Sequence, residues 1–123
     1  MQQCFTGSAD LCRSVGDVLT AIGNKWSILT IAMLSSGSMQ FAELKHSLGS
    51  ISQIDLISTL RGLIRDGYIL QIGSPFASPR VDYELTELGK DVLVPVRLFA
   101  AWIIRNRGRV ERARAEFDHT GYL

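Results

Sequence analysis

The chain has 123 residues, with 46% hydrophobic and 20% charged positions, and 13 Lys and Arg against 12 Asp and Glu give a formal net charge of +1. That length suits one compact domain with a modest core and leaves no room for a second full domain. The near-neutral balance excludes a general polyanion binder, so any affinity for nucleic acid must come from a local arrangement of charge.

In chain order, Val15, Val18, Leu19 and Ile22 recur at helical spacing and stop at Gly23, which predicts a first, short amphipathic helix. Asn24 is placed to cap a second helix whose Trp26, Ile28, Leu29, Ile31, Ala32, Met33 and Leu34 are apolar on nearly all sides. A helix apolar all round belongs in the interior, so this one is expected to be the core helix. After the break at "SSGS", Met39 to Phe41 are expected as a brief strand. Phe41, Leu44 and Leu48 then follow one stripe of a third helix that ends at Gly49.

The fourth helix has the clearest ends. Ser52 is a good N-cap with Asp55 at the third helical position, and Gly67 is a natural left-handed stop. At 100° per residue Leu56, Ile57, Leu60, Leu63 and Ile64 fall on an inner face, leaving Ile54, Asp55, Ser58, Arg61, Gly62 and Arg65 outside. "YILQI" and "VDYEL" are β-type runs separated by "GSPFASPR", which predicts a hairpin with an extended tip. Thr86 can cap a last long helix carrying Leu88, Val92, Val96, Phe99, Trp102 and Ile103, with Pro95 marking an expected kink. The expected fold is mainly α with a small antiparallel β-hairpin, an α+β winged helix-turn-helix with a long C-terminal helix.

Cys4 and Cys12 are the only cysteines, and His46 and His119 lie far apart, so neither a disulfide framework nor a metal site is expected. No glycine-rich phosphate loop and no Ser/His/Asp motif points to an enzyme or a cofactor. No apolar run reaches the roughly 18 to 20 residues of a membrane span, and no signal core follows the N-terminus, so a cytoplasmic protein without a membrane partner is expected. Trp26 and Trp102 are read as packing residues rather than parts of a ligand box.

The stretches "IGNKWSILTIAML", "FAELKHSL", "ISQ", "LRGLIRDGYI" and "SPRVDYELTELGKDV" resemble the HxlR-type winged helix-turn-helix transcriptional regulators, which are MarR-like bacterial proteins. The similarity runs in order from about Val15 to Phe117. It implies a small homodimeric regulator that binds double-stranded operator DNA. Residues 13–86 would be the DNA-binding core with its wing, and residues 87–118 the dimerisation region of one domain spanning 1–123. Two departures stand out. After Ser-Gln the family usually carries a basic or polar residue and then an apolar one, where this chain has Ile54 and Asp55. Many members place a cysteine 13 positions before the Trp, where this chain has Arg13, with Cys12 one residue earlier.

In helix-turn-helix folds the reading helix presents its N-terminal residues to base edges, so Ser52 and Gln53 are the candidate base contacts. Ile54 is either a lone exposed apolar residue or a contact to a thymine methyl, and Asp55 is read first as a dipole-complementing cap residue. Ser58 and Arg61 lie on the same face, Lys25 and Lys45 flank it as candidate phosphate contacts, and Arg80 stands at the wing tip within reach of phosphates or a minor groove. Val15, Val92, Val96, Phe99, Trp102 and Ile103 are the candidate dimer interface, because the last helix carries more apolar surface than a winged domain can cover. Some family members sense oxidants through a thiol near the first helix, a role that here falls to Cys12, with Cys4 as resolving partner. Cys12 lies near a helix start beside Arg13, a setting that favours a reactive thiolate. A small-molecule effector in an interface cavity is the alternative to an oxidant. The rival to the whole reading is a degenerate winged-helix protein-interaction module with weak or no DNA binding.

Overall fold

The computed structural model describes residues 9–73 and 81–121. The elements come in the predicted order: α1 Ala9–Ile22, α2 Lys25–Met33, β1 Met39–Gln40, α3 Phe41–Leu48, α4 Gln53–Arg65, β2 Ile69–Ile72, β3 Asp82–Leu85 and α5 Glu87–Thr120. They divide into two compact units, one ending at Leu93 and one beginning at Val94.

Local chemistry sets the boundaries in the first unit. Asn24 Oδ1 accepts from the Trp26 N–H at 2.8 Å and starts α2. Glu43 Oε1 accepts from the Gln40 N–H at 3.0 Å and starts α3. That bond also explains why the strand stops at Gln40 and why Phe41, which the sequence places in both elements, opens the helix. Ser52 Oγ accepts from the Asp55 N–H at 3.0 Å and starts α4, while Gly67, at φ +85°, turns the chain out of α4 into β2.

The core joins Ile22, Ile31, Leu34, Leu44, Ile51, Leu56, Leu60, Leu63, Ile69 and Leu85. The expectation that α2 is buried all round needs correcting. Its buried positions are Ser27, Thr30 and Ile31, and Leu29 is 37% exposed. A unit this small has too few layers to cover the whole circumference of a helix. The hydroxyl of Thr30 is buried without a hydrogen-bond partner among the described residues. An orphaned buried hydroxyl costs more than an isosteric methyl. Thr30→Val is therefore expected to raise the unfolding free energy by about 1 kcal/mol in urea denaturation, and a loss of that size would show that the hydroxyl is satisfied in solution.

The sheet is larger than the predicted hairpin. It is three-stranded in the order β1-β3-β2, because Met39 pairs with Tyr83 on the free side of β3 while Gln71 pairs with Tyr83 on the other. Thr86 ties the sheet to α5. Its Oγ1 donates to the Gly67 carbonyl at 2.6 Å and accepts from the Gly89 N–H at 3.1 Å. The second unit is the rest of α5, which runs through Pro95 to Thr120 without ending there. Val94, Leu98, Phe99, Trp102, Ile103 and Ile104 are all exposed on it. Among the described residues, no single helix is long and apolar enough to cross a membrane.

Candidate nucleic-acid interface

Helix α4 follows α3 after the short segment 49–52, and Leu56, Leu60 and Leu63 anchor its inner side in the core. That anchoring fixes which side chains face outward. Gln53, Ile54, Asp55, Ser58, Arg61 and Arg65 are all exposed, with Ile54 at 78%. Ser52 accepts the cap bond, and a hydroxyl so engaged still has its proton to donate. The face carries the carboxylate of Asp55 against the guanidinium groups of Arg61 and Arg65, so its local balance is positive although the chain is nearly neutral.

The other predicted residues are placed less uniformly. Lys25 opens α2 with its Nζ 4.6 Å from the centre of the Trp26 ring, a cation–π contact. Lys45 Nζ donates to the Ile51 carbonyl at 3.5 Å, across the segment that joins α3 to α4. Cys12 is exposed on α1, and its neighbour Arg13 pairs with Asp10 at 3.5 Å. Val15, Val92 and Val96 are half-buried, whereas Phe99, Trp102 and Ile103 are exposed. The Phe99 and Trp102 ring centroids lie 6.5 Å apart, a tilted aromatic pair facing outward. Arg80, the wing tip and Cys4 lie outside the described residues.

Periodicity put Ile57 and Ile64 inside, but they are 40% and 37% exposed. They sit at the edges of the apolar stripe, where a helix lying on a small core leaves its flanks uncovered. There they help to form a groove of about 460 Å³ between α4, the start of α3 and the sheet, whose wall also includes Gln53 and Arg61. Tyr83 lines the sheet side, and burial pushes its hydroxyl above the ordinary value of 10.0. It is therefore a neutral hydrogen-bond donor at physiological pH. Because the unfolded chain would ionise first, the stability tied to this group is present below about pH 10 and lost as pH rises further.

Comparison with known proteins is consistent with this geometry. The chain matches the HxlR-like helix-turn-helix family over residues 21–111. It is 33% identical over 108 residues to the HTH-type transcriptional regulator YtfH of Escherichia coli K12, covering 88% of this chain and 85% of that one. The solved structure of a transcriptional regulator ytfH from Salmonella typhimurium superposes with a TM-score of 0.74 at 30% identity, over 82% of this chain and 90% of that one. The redox regulator HypR in its reduced form superposes with a TM-score of 0.72 at 29% identity, over 80% of this chain and 98% of that one. With its capped α4, its antiparallel sheet and these matches, the chain belongs to the HxlR-like helix-turn-helix family of transcriptional regulators.

Proposed function

We propose that the protein is a homodimeric regulator that binds operator DNA sequence-specifically, with residues 13–86 as the DNA-binding part and 87–118 as the dimerisation region. The observation that carries this reading is α4. Its inner side is locked in the core, and Gln53, Ile54, Ser58 and Arg61 stand exposed on the other. Gln53 is the base-reading residue, since its amide can pair bidentately with adenine, and Ser52 adds a hydroxyl donor beside it. Ile54 meets a thymine methyl. Arg61, Lys25, Lys45 and Arg80 neutralise phosphates. Two-fold symmetry then sets the two reading helices about one DNA turn apart, roughly 34 Å or a multiple of it, on an inverted repeat.

Gln53→Ala is expected to lower affinity for the specific site by roughly 1 to 3 kcal/mol while sparing non-specific binding. Arg61→Ala is expected to weaken binding to all sequences alike. Fluorescence anisotropy with specific and scrambled duplexes separates the two, and equal losses on both duplexes for Gln53→Ala would remove it from base reading.

The exposed Cys12 and the likeness to a redox regulator support a second, regulatory reading: oxidation at Cys12 alters DNA affinity. Diamide is then expected to change operator affinity in wild type and to leave Cys12→Ser unaffected. An unchanged response in the mutant removes Cys12 as the switch and leaves a small-molecule effector as the signal.

A further inference from the structure

Charge is divided unequally along the chain. Residues 1–93 hold 7 Lys and Arg against 9 Asp and Glu, a net of −2, and residues 94–123 hold 6 against 3, a net of +3, which together give the +1 of the whole. The unit that contains α4 is therefore the acidic one, and its net charge opposes the approach of a polyanion. All six Lys or Arg positions after Leu93 are arginine, and five of them lie between Arg105 and Arg114 with Glu111 as the only carboxylate in that stretch. Glu111 is engaged by Arg107 at 3.3 Å. At 100° per residue Arg105, Arg109 and Arg112 fall within about 60° of one another on α5, about 130° from the centre of Phe99, Ile103, Val110 and Phe117. All three are exposed, and no carboxylate among the described residues pairs with them. Arg109 Nη1 donates to the neutral Asn106 Oδ1 at 3.0 Å. Like charges three and four positions apart destabilise a helix, so an anionic partner on this row would relieve it.

We propose that Arg105, Arg109 and Arg112 form a sequence-independent phosphate contact that holds DNA flanking the stretch read by α4. The row runs about 10 Å along α5 at 1.5 Å per residue, close to three successive phosphates of one strand at 3.4 Å of axis each. A guanidinium fork grips a phosphate bidentately and is always charged. Between these arginines the face carries Gly108 and no large apolar side chain, so it lacks the anchors that a protein partner would need. Phosphates need only the charge. Because the row lies off the apolar face of α5, a second copy covering that face leaves it free. The flanking position rests on the DNA-binding reading of α4, to which the row adds the attraction that the acidic unit lacks.

The test takes the shortest duplex from upstream of the gene that wild type binds, and the same duplex lengthened by about ten arbitrary base pairs at each end. Fluorescence anisotropy compares them at two salt concentrations. Wild type is expected to bind the longer duplex at least about fivefold more tightly at low salt, with the advantage shrinking as salt rises. A triple variant, Arg105→Gln, Arg109→Gln and Arg112→Gln, keeps a similar helix propensity. It is expected to bind both lengths equally, to keep its preference for the upstream over a scrambled sequence, and to match wild type in light scattering. Wild type without a length preference, or a triple variant that keeps the full preference, overturns the contact. A triple variant with a changed oligomeric state also overturns it and assigns the arginines to the second copy. The row and the reading by α4 fail separately. A length preference that vanishes in the triple variant, without discrimination between upstream and scrambled sequence, refutes base reading and supports the row. Discrimination that is lost in Gln53→Ala, without a length preference, does the reverse. Wild type that binds no duplex of either length refutes both.

Discussion

Replacing Phe99 and Trp102 together with aspartate is expected to convert the proposed dimer to a monomer and to abolish tight operator binding. These rings lie exposed and 6.5 Å apart on α5, amid an apolar stretch from Val92 to Ile104 in which Arg97 is the only charged residue. In water such a stretch is unfavourable unless something covers it, and a two-fold partner offers the same apolar surface in return. Aromatic anchors at the centre of an interface contribute about 2 kcal/mol or more each, so losing two should weaken association roughly a thousandfold. Light scattering at micromolar concentration reads the outcome. A wild-type monomer, or a double variant that still dimerises, contradicts the α5 interface. If each subunit of the proposed dimer brings one α4 to DNA, the monomer should also lose the contribution of the second half-site.

Gly89→Ala is expected to destabilise the first unit by about 3 kcal/mol, a large effect for one methyl group. A Cβ at this position would run into the Tyr68 carbonyl oxygen and stand 3.1 Å from Leu85 Cδ2. Neither neighbour can easily yield. The Tyr68 carbonyl accepts from the Thr86 N–H at 3.0 Å, and Leu85 is part of the core. The same change at Gly62 on α4 meets nothing within 4 Å, and there alanine is expected to stabilise by about 0.8 kcal/mol through helix propensity alone. Urea denaturation of the two variants gives opposite signs if the packing is as described. A neutral Gly89→Ala would show that α5 can shift at its start.

This packing also shows what the sequence made legible. Asn24, Ser52, Gly67 and Thr86 mark element boundaries through bonds to residues at most three positions away or through one backbone angle, so local pattern was enough to find them. The third strand was harder, because Met39 finds its partner Tyr83 far along the chain and two residues carry little strand signal. Ile57 and Ile64 were misplaced for a related reason. Periodicity gives the direction of a side chain but not how far the core extends around the helix, and the groove they form depends on where the sheet lies. Lys45 is read from the sequence as a candidate phosphate contact, and its bond to the Ile51 carbonyl is set by the fold of the α3–α4 connection. On α5 the predicted stripe was too narrow. Leu98 and Ile104, 67% and 76% exposed, lie outside it.

Ile54, 78% exposed, puts an apolar side chain at the start of α4. A thymine methyl would use it, whereas phosphates would not. The most direct test of DNA binding through α4 is the electrophoretic mobility of wild type with DNA from upstream of its own gene, run at two salt concentrations beside Gln53→Ala. The expected result is a specific shifted band that weakens with salt, because phosphate contacts release counterions, and that is lost first in the mutant. Wild type that shifts no fragment even at low salt would contradict the account and leave a protein-interaction module in its place.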